Sequence, residues 1–149
     1  MPFSIAQRSR LALEKSVLEN YFPDDRLRWY DPTASNGEAE VEVDVFTSND
    51  KRYSLKIVIP MDYPNSCPTL LVSKPSCELK RRNGATIHGV DDHSWGVFKG
   101  CTKICHHRTD QWTSDLTLYQ VFMKGVIWLE AYEAHIRTGN SLSKYLREM

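Results

Sequence analysis

The sequence predicts an α+β domain, with a leading helix, a run of strands, a long irregular stretch and a closing helix, so that helices and an antiparallel sheet segregate along the chain. Three observations predict it. Val41, Val43 and Val45 alternate with Glu40, Glu42 and Asp44, the period-2 pattern of a half-buried strand. Tyr53, Leu55, Ile57 and Ile59 repeat the alternation after the turn-forming Ser48-Asn49-Asp50, which pairs the two runs as an antiparallel hairpin. Leu118, Val121, Phe122, Leu129, Tyr132 and Ile136 form the broad apolar stripe of an amphipathic helix.

The elements follow in order. Ser4 to Tyr21 reads as a helix, with Ser4 at its cap, apolar positions at Ile5, Leu11, Leu13, Val17, Leu18 and Tyr21, and Pro23 as its stop. Arg26 to Tyr30 reads as a short strand, and Asp31-Pro32 to Asn36-Gly37 as a turn. The hairpin comes next, over Glu38 to Phe46 and Tyr53 to Ile59. Leu70-Leu71-Val72 adds a shorter strand, giving a sheet of about four strands in all. Pro75 to Trp112 shows no sustained period and holds glycines 84, 89, 96 and 100, so it is expected to be a long loop carrying the functional site. Thr117 and Gln120 stand at the spacing of a capping box and start a helix of about 20 residues, packed on the sheet, that Gly139 ends. Ser141 to Met149 reads as a terminal turn or loose tail.

A chain of 149 residues without linkers or repeats is one domain, 1–149, large enough to bury a core without disulfide or metal staples. Nineteen basic residues balance nineteen acidic ones, which argues against a nucleic-acid or anionic-membrane partner. The basic run Lys80-Arg81-Arg82 is too short to change that and reads as a solvated loop. Neither a membrane-spanning stretch nor a secretory leader is apparent, so a cytoplasmic protein with Cys67, Cys77, Cys101 and Cys105 as reduced thiols is expected. A Gly-rich phosphate loop and a dinucleotide fingerprint are both missing from the sequence, and no cofactor is expected.

Chemistry-bearing residues concentrate in two segments. Ile59-Pro60-Met61-Asp62-Tyr63-Pro64-Asn65-Ser66-Cys67-Pro68 fixes φ at three prolines, a rigid extended bend between strands, in which Tyr63 packs and Cys67 is structural or neutral. Downstream, Ile104-Cys105 precedes Trp112 and the Thr117-capped helix, and Trp128-Leu129, Tyr132-Glu133 and Thr138-Gly139 follow in that order.

Together these motifs resemble the ubiquitin-conjugating-enzyme family, whose members carry a strand ending in Pro, a Tyr-Pro bend, and a reactive cysteine a few residues before a Trp and a capped helix. Cys67 replaces one proline of that bend, and the cysteine-to-Trp spacing is one residue shorter than in the eukaryotic members. The resemblance covers roughly residues 1–140 and is nearest to the bacterial branch, the stand-alone conjugating-enzyme-like proteins of CBASS antiphage operons. It implies a UBC-like fold and an acyltransferase whose cysteine takes the C-terminal glycyl group of a protein as a thioester and passes it to a lysine.

Two cysteines compete for that role. Spacing to Trp112 favours Cys105; Gly100, which admits close backbone approach, and Lys103, which can stabilise a thiolate, favour Cys101. The cysteine not used is a small buried hydrophobe. His88 stands where the family carries His-Pro-Asn, but Pro and Asn are missing, so the oxyanion donor falls to His93, His106 or a backbone N–H, and His88 reads equally as a loop-packing residue. Asp91 and Asp92 could orient the acceptor amine or simply be solvated carboxylates. Cys101, Cys105, His106 and His107 invite zinc, but their spacing lacks a second separated ligand pair, and no metal is expected.

The resemblance implies a donor: a cGAS-like nucleotidyltransferase, whose attachment alters second-messenger signalling, or a ubiquitin-like protein delivered by an activating enzyme. The rival reading is a catalytically inactive binding module of the same fold, supported by the missing Pro and Asn after His88 and opposed by the retained cysteines. Oligomeric state is not encoded in any feature of the sequence.

Overall fold

The computed structural model describes residues 3–30, 39–75, 78–87, 89, 92–107 and 109–146; the expected turn at 31–37, Cys77, His88 and Asp91 lie outside them. The first helix, α1, spans Ile5–Tyr21 and opens with a capping box, the Ser4 hydroxyl accepting from the Gln7 N–H and the Gln7 side chain accepting from the Ser4 N–H. The Gln7 amide nitrogen also donates to the carbonyls of Met61 and Tyr63, at 2.8 and 2.9 Å, and so ties the start of the helix to the proline-rich bend.

The expected apolar stripe on α1 is only partly realised: Leu18 is buried, whereas Ile5, Leu13 and Tyr21 are exposed. What α1 buries instead is the Glu14 carboxylate. It accepts from the Arg10 guanidinium at 2.7 Å, from the Tyr63 hydroxyl, and from the Leu118 N–H at 2.6 Å. Arg10 reaches on to the Ser114 and Leu116 carbonyls, each at 2.7 Å. Desolvating a carboxylate is tolerable when donors surround it, so this helix is held largely by polar bonds.

The sheet has six strands: β1 Leu27–Tyr30, β2 Ala39–Phe46, β3 Arg52–Ile59, β4 Thr69–Lys74, β5 Ser94–Phe98 and β6 Cys101–Ile104. All pairs are antiparallel, in the order β1-β2-β3-β4-β6-β5. The expectation of about four strands is therefore too low, and the stretch expected to be a long loop contains the missing pair. Lys99 and Gly100, at φ 53° and 78°, form the two-residue left-handed connection of the β5–β6 hairpin. A lysine in the first of those positions is not a hairpin signal, and a bulge between Ser94 and Val97 breaks the alternation of β5.

One face of the sheet is apolar. Val43, Leu55 and Val72 lie in one row, and Val41, Ile57, Leu70 and Ile104 in the next. The second helix, α2 (Leu118–Thr138), covers these rows with Leu118, Val121, Phe122 and Leu129. It approaches closely at Gly125, where a Cβ would stand 2.9 Å from one Leu55 methyl and 3.0 Å from a Leu70 methyl. Its ends are as expected: the Thr117/Gln120 capping box is formed and Gly139 is left-handed at φ 79°. Within the segment expected to be a terminal turn or loose tail, Leu142–Leu146 forms a short helix, α3, that buries Leu142 and Leu146.

The opposite face carries a buried polar network. Arg28 donates to Glu42 at 2.9 Å and to Asp44 at 2.7 Å, and the Ser54 hydroxyl donates to Asp44 at 2.6 Å. Hydrogen bonds from Arg28 and Ser54 hold the Asp44 carboxyl far below the usual carboxylate range. Among the described residues no helix is long and apolar enough to cross a membrane.

Candidate active site

Leu70 pairs with Ile104, so β4 begins where β6 ends, and Cys67-Pro68 lies against Cys105-His106-His107. His106 is buried, with Nε2 2.7 Å from the Pro68 carbonyl oxygen. A carbonyl can only accept, so Nε2 carries the hydrogen. The same nitrogen is 3.6 Å from the Cys67 sulfur, and Nδ1 of His106 is 2.8 Å from Nδ1 of His107. Burial pushes the pKa of His106 down to about 4, partly opposed by the bond to Pro68, and lowers that of His107 as well.

Trp112 braces this pair. Its indole N–H donates to the Pro64 carbonyl at 2.8 Å, and its ring meets both imidazoles edge-on, with centroids 6.1 and 5.8 Å away. The proline bend has given up N–H donors but keeps its carbonyls, and two of those, from Pro64 and Pro68, are what orient Trp112 and His106.

A cleft of about 40 Å³ opens here, lined by Cys67, Thr69, Trp95, Lys103, Cys105 and His107 among others. That is room for an ammonium-sized group. Lys103 sits in its wall with Nζ 5.4 Å from the Trp95 ring centroid and 5.7 Å from that of Phe98, a cation held by two aromatic faces. Cys105 is half-buried, and its N–H donates to the His93 carbonyl at 2.9 Å. Burial pushes the Cys67 thiol up to about 11, with Cys105 adding to the rise and Lys103 opposing it, so Cys67 is a neutral thiol at pH 7.

Of the other predicted site residues, Cys101 and Asp92 sit elsewhere. Cys101 is buried in a small cluster with Val58 and Leu71, with Phe98 packed against it. Lys103 does share the cleft with Cys105. Asp92 is buried and its carboxylate is bound by Arg81 at 2.7 and 3.0 Å, while its carbonyl accepts from the Trp128 indole; it does not line the cleft. His88 and Asp91 are outside the described residues. His106, one of the three groups considered as oxyanion donors, has its N–H committed to Pro68.

Four residues that line this cleft carry no local signal of it: the sequence reads Cys67 as part of a structural bend and His107 as a zinc ligand, and singles out neither Thr69 nor Trp95, because nothing local reveals that the bend and the 105–107 segment meet. The signal lies in the pairing of β4 with β6, which is hidden until β6 is recognised as a strand. Among the described residues, no group of three or more histidine, cysteine or carboxylate side chains converges in a way that could hold a metal ion. No protein-family model matches the chain, and no curated protein matches its sequence.

Proposed function

We propose that the protein is a cysteine-dependent protein-conjugating enzyme of the ubiquitin-conjugating kind, with Cys105 as the acyl carrier. The order of helix, antiparallel strands, cysteine-bearing segment and long helix supports the UBC-like reading, with the β5–β6 hairpin as an addition to the expected sheet. Cys67 and Cys105 are both partly exposed in the cleft walled by Lys103 and the imidazoles, and one observation carries the choice between them: burial pushes the Cys67 thiol up to about 11, which leaves Cys105 as the acyl carrier. Cys101 is packed in an apolar cluster, and Cys67 is held as a thiol. A thiolate is the nucleophile in such chemistry, and a nearby ammonium favours it.

In the proposed reaction the Cys105 thiolate attacks the carbonyl carbon of a C-terminal glycyl thioester and expels the donor's thiol. A lysine amine then attacks the new thioester and leaves an isopeptide bond. The donor in this reading is a cGAS-like nucleotidyltransferase of an antiphage system, or a ubiquitin-like protein, either fed by a separate activating enzyme or attacked directly at its C-terminus. The test uses a peptide ending in a glycyl 2-mercaptoethanesulfonate thioester. A reducible adduct is expected with the native protein and with Cys101→Ser, and none with Cys105→Ser. An adduct unaffected by Cys105→Ser would falsify the assignment.

A further inference from the structure

The hydrogen-bond chain beside Cys105 fixes where a proton can go, and the inference from it rests on the conjugating reading above. Nε2 of His106 donates to the Pro68 carbonyl, which cannot donate back. In a neutral imidazole the other nitrogen is then an acceptor, so Nδ1 of His106 accepts. Its partner, Nδ1 of His107, stands 2.8 Å away and must be the donor. That leaves the Nε2 lone pair of His107 as the basic site of the pair, on a residue that lines the cleft with Cys105. Trp112 holds both rings edge-on, so the arrangement cannot swap tautomers without breaking the bond to Pro68.

We propose that Nε2 of His107 is the general base for aminolysis, taking a proton from the acceptor lysine in the cleft. An acceptor ammonium cannot attack a thioester, so aminolysis needs a group that takes its proton. The balance is as follows. His107 takes one ammonium proton, and the freed amine attacks the thioester carbonyl carbon, forming the C–N bond. The C–S bond breaks with its electron pair on the Cys105 sulfur, which receives the second proton from nitrogen. His107 returns its proton to water. His106 is a positioning residue that selects the tautomer.

The charged and titratable groups around His107 among the described residues are His106, Lys103, Cys105 and Cys67 at the cleft and Lys124 from α2. Burial opposes protonation of both imidazoles, and Lys124 adds to it at each ring and Lys103 at His106, which keeps the base available.

The test loads Cys105 with the same peptide thioester, then follows discharge of the loaded fraction onto free lysine between pH 7 and 9. Native protein should discharge at a nearly constant rate across that range, because neutral imidazole and ammonium are both abundant there. His107→Ala and His107→Asn should discharge about 100-fold more slowly at pH 7. Their rates should climb roughly tenfold per pH unit, following the free amine. His107→Asn keeps a donor towards His106, so a loss common to both variants comes from the base and not from packing. Slowing without the change of slope, or no slowing, overturns the assignment to His107 while conjugation stands. Failure of native protein to load at all overturns the conjugating reading, and this one with it.

Discussion

The Glu14 carboxylate lies 2.6 Å from the backbone nitrogen of Leu118, so a side chain of α1 accepts the first N–H of α2 across 104 residues of sequence. The same carboxylate takes the Tyr63 hydroxyl from the proline bend. Three segments therefore converge on one buried anion, placed where a helix N-terminus favours negative charge.

Glu14→Leu should cost about 3 kcal/mol, because it strands the Leu118 N–H, the Tyr63 hydroxyl and the Arg10 guanidinium. Tyr63→Phe removes a single donor and should cost about 1 kcal/mol. Urea denaturation of both variants checks the ranking; equal losses would mean that Glu14 contributes little beyond its bond to Tyr63.

Gly125 is a point of close contact between α2 and the sheet. Gly125→Val should lower stability by about 2 kcal/mol, since its β-carbon and branched methyls would meet the Leu55 and Leu70 methyls inside the packed core and those side chains must shift to admit them. Gly125→Ala adds about 1 kcal/mol of helix propensity against a smaller overlap and should be the milder change. Thermal melts of the two give the order directly.

His106 should make stability depend on pH in a defined window. Its folded-state pKa is depressed from 6.5 to about 4, so between those values the unfolded chain binds the proton and the folded chain does not. The contribution is full above pH 6.5 and is lost as pH falls towards 4, at up to about 1.4 kcal/mol per unit. His107, lowered for the same reason, acts in the same direction. Chemical denaturation at pH 7.5 and 5.5 should show the drop in native protein and a smaller one in His106→Gln. A pH-independent midpoint in the native protein would refute it.

Thiol labelling should separate the described cysteines. Peptide mapping after brief iodoacetamide treatment at pH 8 should find Cys105 modified first. Cys67 should lag because burial keeps it protonated up to about 11, and Cys101 should react only on unfolding. Prior labelling of Cys101 would reverse the assignment of the nucleophile.

What the sequence revealed depended on whether a signal was local. The β2–β3 hairpin and both helix caps were legible, because alternation at Val41, Val43 and Val45 and the Thr117/Gln120 spacing are properties of adjacent residues. The β5–β6 hairpin was not, since its turn uses Lys99 in a left-handed conformation and its first strand is bulged. Glu14 was illegible for another reason: a carboxylate facing inwards contradicts the apolar-stripe rule, and only its three donors explain it. For the candidate site, the sequence marked Cys105 and Lys103 but placed Cys101 on an equal footing. Burial beside Phe98 is a tertiary fact that no spacing expresses.

The cleft is built across the β4–β6 pairing, and its Cys67–His106 contact spans 39 residues, whereas the β2–β3 hairpin closes locally. Long-range closure comes after short-range closure when a chain folds, because the entropy of the larger loop must be overcome first. On the ribosome, the helix and hairpin encoded earliest can assemble while Cys105 still stands among solvated residues, without Lys103 and the two imidazoles in place around it. The surroundings of Cys105, the cysteine proposed to carry the acyl group, are thus completed only when β4 and β6 pair, so the reactivity proposed for that cleft belongs to the folded chain and not to the nascent one.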